Sequence, residues 1–202
     1  MIKIKAIEKK ERALGVKLFL KAERCNSPKC VTVRRAYKPG MHGRLRHSAL
    51  SDYGRQLAEK QKLQIIYGLN NSQMANLFKN ETIDKIKLCL EKRLDRVVFL
   101  SGLAGSVRIA RQLISHGHFL INGRKVKTPS QQVKKGDIIK VKESSKNLKI
   151  FEDVALRLKN YSPPSWLETD ALKLEVNCLR EPEVSEIQMP IDINLVAEFY
   201  SR

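Results

Sequence analysis

The sequence predicts an α+β protein: a mainly helical, discontinuous domain with a small module of two helices and a short antiparallel sheet inserted in it, preceded by an extended basic segment. Three observations carry this. Apolar residues recur at helical spacing from Ser51 to Leu94, with no sustained period before Ser48. From Arg93 to Ile150 the pattern changes to two short helices and then brief apolar runs, separated by Asn122–Gly123 and Lys135–Gly136–Asp137, which read as strands and tight turns. Helical spacing returns at Phe151, and the helices before Arg93 need another element to bury their apolar faces. The expected divisions are therefore a basic extension at 1–47, a first helical part at 48–92, an inserted module at 93–150 and a second helical part at 151–202 with an acidic end.

Charge narrows the class of partner. The 202 residues hold 39 Lys/Arg against 21 Asp/Glu, a formal charge of +18, which exceeds what solubility needs and points to a polyanion. The excess is local: the divisions at 1–47, 48–92 and 93–150 carry +11, +2 and +10, and 168–202 carries −5. No apolar run approaches the roughly 18 residues of a membrane-spanning helix, and the start, MIKIKAIEKKERALG, has no apolar core of a signal peptide. A membrane is thereby set aside in favour of nucleic acid.

In residues 1–47, short apolar patches sit among lysines, and the segment ends in RRAYKPGMHGRLRHS. Pro39–Gly40 and Gly43 set turns, while Arg34, Arg35, Lys38, Arg44 and Arg46 surround Tyr37 and His42. Such a segment is expected to be disordered alone and to order against RNA, Tyr37 stacking and the arginines bridging phosphates. Cys25, Cys30, His42 and His47 have the spacing C-x4-C-x11-H-x4-H, close to a zinc-finger pattern. The intervening VTVRRAYKPGM offers no ββα frame, so the pair reads as two reduced cysteines in a loop, with no metal. Four scattered cysteines suit a reducing compartment better than a disulfide framework.

The first long helix runs from Ser51 to Gly68, with Tyr53, Leu57, Leu63 and Ile66 inward and Arg55, Lys60 and Lys62 off that face. Asn71 or Ser72 caps a second helix and Ile83–Leu94 makes a third, with Cys89 a small buried hydrophobe. In the module, Leu94, Val97 and Val98 form a helix closed at Ser101–Gly102, and Ser106 caps the next. There Val107, Ile109, Ala110, Leu113 and Ile114 share one face, leaving Arg108, Arg111, Gln112 and Ser115 on the other. Gly117 ends that helix between His116 and His118, where a backbone or phosphate contact is expected. Phe119–Ile121 turns back at Asn122–Gly123 into Arg124, Lys125 and Lys127, and DIIKVKE completes the sheet. Two arginines one turn apart beside a cationic hairpin suit the phosphates of a folded nucleic acid. Further on, the prolines of YSPPSWLETD make a connection anchored by Trp166–Leu167, and IDINLVAEFYSR forms a last helical turn or two.

RLDRVVFLSGLAGSVRIARQLISHGHFLINGRKV followed by PSQQVKKGDIIKV resembles the small RNA-binding module named after small-subunit ribosomal protein four. GVKLFLKAERCNSPKC, RRAYKPGMHG, SDYGRQLAEKQKLQIIYGL, PSWL and LVAEFYSR extend the resemblance, in order, to the bacterial and organellar form of that ribosomal protein family. The resemblance implies a structural constituent of a bacterial cytoplasmic or an organellar ribosome: a primary binder of small-subunit, 16S-type rRNA that nucleates assembly. It also implies contacts with neighbouring ribosomal proteins near the point where mRNA enters, with an influence on decoding accuracy, and no cofactor, small-molecule substrate or catalytic residue. The family's rRNA-facing positions fall on Arg34, Arg35, the Lys38–Arg46 loop, Arg55, Lys60 and the basic faces of the module. With Tyr37, Lys62, Arg93, Ser106, His116, His118 and Asn122 these complete the expected RNA-binding set. Zinc-binding members carry a C-x-x-C pair where Glu8 and Glu11 stand here, so Cys25 and Cys30 resemble remnants of a lost site.

Two other classes were weighed. A pseudouridine synthase carrying the same module needs a Thr or Ser followed by Ser-Gly shortly after Arg93–Leu94–Asp95, but Val98, Phe99 and Leu100 intervene, and few residues remain for a catalytic domain. Asp95 reads instead as a salt-bridge partner of Arg93, Arg96 or a lysine. A free-standing RNA chaperone or translational regulator differs from a ribosomal component in not following the small subunit on sedimentation.

Overall fold

The computed structural model describes residues 7–18, 20, 25, 27–45, 49–152, 154–159, 161–187 and 189–201. In chain order the elements are α1 (Ile7–Leu14), α2 (Val31–Arg34), α3 (Asp52–Tyr67), α4 (Asn71–Asn80), α5 (Ile83–Glu91), α6 (Leu94–Leu100) and α7 (Val107–His116). There follow β1 (Phe119–Ile121), β2 (Arg124–Val126), β3 (Ile138–Val141), α8 (Lys149–Glu152), α9 (Val154–Lys159), β4 (Leu167–Asp170), β5 (Glu175–Cys178) and α10 (Ile193–Tyr200). They divide into two compact units, Met1–Ile86 with Met189–Arg202, and Lys87–Gln188.

The first unit is helical. Ser51 opens α3 by accepting a hydrogen bond from the Gly54 amide at 3.2 Å, and the left-handed Gly68 closes it. Leu63 and Tyr67 on α3, with Leu69 and Met74, are buried. The chain's last helix packs on α3 and α4: Tyr200 stacks on Phe78 with centroids 5.3 Å apart, and Phe199 lies 5.7 Å from Tyr53. Asp192 caps α10 through the Asn194 amide at 3.0 Å, while Glu59 accepts from the Asp192 amide at 3.2 Å and Gln56 donates to Glu198 at 3.0 Å. The cap of α4 is Asn70 rather than Asn71 or Ser72, because the Gln73 side chain reaches back to the Asn70 amide at 3.0 Å.

The helix expected over Ile83–Leu94 is broken. Arg93 is extended and bridges Gln132, and the backbone groups that would continue α5 bond elsewhere. Val133 N–H donates to Lys92 O at 2.8 Å, Leu94 N–H to Gln131 O at 2.8 Å and Asp95 N–H to Pro129 O at 3.1 Å. The segment 129–133 thus takes over the hydrogen bonds of a helical turn, which no local pattern could reveal.

The second unit holds one antiparallel sheet in the order β2-β1-β3-β5-β4. Asn122 and Gly123 both have positive φ, 49° and 79°, the mirror-image two-residue turn that matches strand twist. Leu94, Val97 and Val98 of α6 and Ala110, Leu113 and Ile114 of α7 share one core with Phe119, Ile121, Ile139, Val141, Trp166 and Val176. Phe151 meets Phe119 edge-on at 6.1 Å. Here the expected boundaries shift. Residues 151–188 were assigned to the helical part, but β5 pairs with β3 (Ile139 opposite Val176) and β4 with β5, so they belong to the sheet unit. Each strand is only four residues long, and Glu168, Asp170 and Glu175 fall within them, which disguised the pair as part of an acidic tail. The return to the helical unit is confined to residues 189–202.

Candidate nucleic-acid interface

In the first unit the basic residues lie on the turns after α2. Arg34, Arg35, His42 and Arg44 are exposed and Lys38 and Tyr37 half-buried; Arg46 lies outside the described residues. Tyr37 is not a free stacking platform, because the guanidinium carbons of Arg12 and Arg44 each lie 4.9 Å from its ring centroid. Hydrogen bonding from Arg44, the largest cause, holds the Tyr37 phenol below its ordinary pKa. Gly43 is buried, and a Cβ there would collide with the Lys38 carbonyl, so this turn admits no other residue without moving. Gly43 therefore shapes the loop rather than touching a ligand through a side chain. Arg12, absent from the expected set, donates to the loop's carbonyls; its helical position far upstream gave no sign of this.

Three cations expected on the RNA side of α3 are engaged within the unit. Arg55 is exposed but paired with Asp52. Lys62 bonds Glu59 at 2.5 Å, with both side chains largely buried. The Lys60 ammonium lies 4.4 Å from the Phe199 ring centroid and 5.3 Å from that of Tyr200. Lys60 thus supports the α3–α10 pairing through rings more than 100 residues away in sequence, and Lys62 is held by Glu59 of its own helix, whose carboxylate also accepts from the Asp192 amide; neither stands free on the expected RNA side.

The residues compared above with a zinc site lie in the same unit. Glu11 is buried, 2% exposed, and its Oε1 accepts from the Leu18 amide at 3.1 Å and the Leu20 amide at 3.5 Å. Cys25 and Cys30 are buried thiols, and Cys30 Sγ lies 2.9 Å from the Thr32 hydroxyl. Among the described residues no three His, Cys, Asp or Glu side chains are placed to hold a metal, and His47 lies outside them. Two thiols and a carboxylate already committed to backbone amides do not fit a structural zinc ion.

In the second unit, α7 presents the cationic face. At its start Ser106 accepts from the Ile109 amide at 3.3 Å, the cap expected of it; the residue is buried, so the RNA contact also expected of it is not available to its hydroxyl. Arg93 is corrected likewise: its guanidinium clasps Asp95 through two bonds, 3.1 and 2.8 Å, with Arg93 6% and Asp95 0% exposed. Arg111 approaches the same carboxylate at 3.5 Å and is half-buried; desolvation lowers its pKa, with Asp95 opposing. Arg108 and Gln112 are exposed without a partner among the described residues. Ser115 donates to the Arg111 carbonyl at 2.9 Å.

Around the C-terminus of α7 the cations gather. His118 Nδ1 lies 2.9 Å from the Ser145 hydroxyl, and its ring centroid is 5.9 Å from that of His116. Burial chiefly, then His116, Lys125 and Lys142, push the His118 imidazole below its ordinary pKa. Lys125 runs across Gly117, where any added Cβ would meet its side chain. Arg124, Lys125 and Lys127 are exposed on the hairpin, whereas Asn122 is occupied: its amide donates to Asp137 at 2.8 Å and its oxygen accepts from Ile138 at 2.9 Å. Lys142 was missed; its signal was the alternation of DIIKVKE, which puts Lys140 and Lys142 opposite the buried Ile139 and Val141. The surface so assembled, Arg108, Gln112, His116, His118, Arg124, Lys125 and Lys142, presents hydrogen-bond donors and positive charge.

Known proteins resemble this chain over nearly its full length. Residues 4–98 match the family profile described as the ribosomal protein S4/S9 N-terminal domain, and residues 92–139 match that of the S4 domain. The small ribosomal subunit protein uS4 of Syntrophomonas wolfei is 44% identical over 197 residues, covering 95% of this chain and 94% of the relative. The uS4 proteins of Thermus thermophilus, 44% identical, and Thermodesulfovibrio yellowstonii, 42% identical, cover the same shares. The chain belongs to the uS4 family. The S4-domain match spans α6, α7 and the β1–β2 hairpin, so the residues that gather around the end of α7 lie in or beside the part shared by that family.

Proposed function

We propose that this chain is a structural, non-enzymatic constituent of the small ribosomal subunit that binds small-subunit rRNA through two cationic surfaces. One is the loop carrying Arg34, Arg35, Lys38, His42 and Arg44; the other is the α7 face with the hairpin, carrying Arg108, Gln112, His116, His118, Arg124, Lys125 and Lys142. The observation that carries this is the near full-length likeness to uS4 proteins, joined to cations that have no acidic partner among the described residues on those two surfaces. Phosphates satisfy clustered cations without sequence-specific contacts, and half-exposed histidines and lysines can follow an irregular backbone. The finer roles follow from family resemblance: early docking on rRNA that nucleates assembly, contact with neighbouring small-subunit proteins and proximity to incoming mRNA.

The test is a crosslink map on purified small subunits carrying this chain, together with its sedimentation. Crosslinks to rRNA from both surfaces, and co-sedimentation with the small subunit at high magnesium, are expected. A chain that stays in the light fractions, or whose crosslinks avoid both surfaces, overturns the proposal.

A further inference from the structure

We infer that Arg12 is a positioning residue for the RNA-contacting loop, fixing the backbone of residues 35–38 so that the loop's cations stand in place before RNA arrives. The inference rests on the reading proposed above. Arg12 Nε lies 3.1 Å from the carbonyl oxygens of both Arg35 and Tyr37, and its Nη2 lies 2.9 Å from Tyr37 O and 3.3 Å from Lys38 O. Its guanidinium carbon also sits over the Tyr37 ring. A guanidinium whose donors face three carbonyls has its fork turned into the protein, so Arg12 serves the loop rather than a phosphate.

The loop has little else to hold it. Its large apolar side chains are turned outward: Val33 is 58%, Met41 90% and Leu45 62% exposed, so burial contributes little order. Among the described residues, its own backbone bonds beyond α2 are Gly43 N–H to Gly40 O at 3.3 Å and Leu45 N–H to His42 O at 3.1 Å, and no strand ladder collects its carbonyls. The neighbouring residue does the complementary task, since the buried Glu11 carboxylate holds the amides of Leu18 and Leu20. Two consecutive side chains of the eight-residue α1 thus fasten two different stretches of a segment whose sequence reads as a disordered tail. Ordering the loop in the free protein removes that entropic cost from RNA binding, which is how a residue that never touches RNA sets affinity.

The experiment compares the full-length protein with R12K, R12Q and R35Q. It measures affinity for transcribed small-subunit rRNA across a salt series, and amide hydrogen exchange at Gly43 and Leu45 in the free protein. Lysine keeps the charge but cannot bridge three carbonyls with one ammonium. R12K is therefore expected to bind on the order of tenfold more weakly than wild type, close to R12Q, with faster exchange at both amides. R35Q is expected to lower the salt slope by about 0.7–0.9, as for one lost phosphate contact, with exchange unchanged. An R12K protein with wild-type affinity and wild-type exchange overturns the inference and makes Arg12 one more charge. If R12Q fails to fold, R12K decides alone. If the wild-type protein shows no salt-dependent rRNA binding, the functional reading fails, while exchange in R12K still decides whether Arg12 orders the loop.

Discussion

The cationic loop after α2 and the cationic face of α7 hold their charges in place by opposite means. The loop is a nearly coreless turn whose carbonyls are gathered by one arginine and whose Tyr37 ring lies beneath two guanidiniums. The α7 face is the outer surface of a helix whose inner residues Ala110, Leu113 and Ile114 belong to the main apolar core. Within that second region the arginines divide again: Arg93 and Arg111 serve the buried Asp95, while Arg108 one turn from Arg111 has no carboxylate to serve. On α7, what separates a structural arginine from one available to RNA is a buried acid within reach, since an unpaired buried carboxylate is costlier than an exposed guanidinium.

The largest effect is expected where that division is sharpest. Asp95→Asn leaves the Arg93 guanidinium buried without its counter-charge and should destabilise the second unit by about 3–5 kcal/mol in chemical denaturation. Arg111→Glu sets a second carboxylate against Asp95 and should also unfold the unit readily, whereas Arg108→Glu should leave the denaturation midpoint in place and weaken rRNA binding. An Arg108→Glu protein as unstable as Asp95→Asn would show that the outward face of α7 has been assigned wrongly. Next in size is Gly43→Ala. Its new Cβ drives into the Lys38 carbonyl, so the loop must refold and rRNA affinity should drop severalfold, while the α3–α10 packing, followed by near-ultraviolet dichroism, should stay intact. An unchanged affinity would mean the loop takes no part. Arg108→Gln is milder still: it should reduce the slope of log affinity against log salt by about 0.7–0.9 with little change in stability.

The regions also differ in how far their sequence discloses them. Ser51, Gly68, Ser106, Gly117 and Asn122–Gly123 each act within a few residues, and the helix ends and the hairpin fall where these residues place them. The break at Lys92–Arg93 depends on carbonyls and amides of residues 129–133, and β5 depends on pairing with β3, Val176 opposite the distant Ile139, while β4 joins the sheet only through β5. Long-range pairing leaves no periodic trace in strands of four residues. The same holds for side chains: Lys60 looks in sequence like any solvent-facing cation, and its partner Phe199 is fixed by tertiary packing, whereas Asp95 is legible as a partner two residues after Arg93 and only the burial of that pair is not.

The smallest predicted effect separates the two regions by pH. His118 is held neutral in the free protein, by burial first and then by His116, Lys125 and Lys142, so its native pKa lies below the unfolded value of about 6.5. A depressed pKa contributes stability that is present above the unfolded value and lost as pH falls through the native one, so the second unit should melt slightly lower on acidification. RNA phosphate beside the ring acts in the opposite sense: it raises the imidazole pKa in the complex, adding affinity at low pH that is lost as pH rises through the bound value. Acid should therefore loosen the fold and tighten the grip at one side chain. His118→Asn, which can keep a hydrogen bond to Ser145, should flatten both dependences between pH ~5.5 and ~8, leaving a few-fold weaker affinity at the acid end. Arg35→Gln in the loop should weaken rRNA binding alike across this range and leave the pH dependence of stability as it is. Melting and rRNA titrations of the two variants across this range separate the sites, and equal flattening by Arg35→Gln would show that the α7 cluster is not where protons and RNA compete.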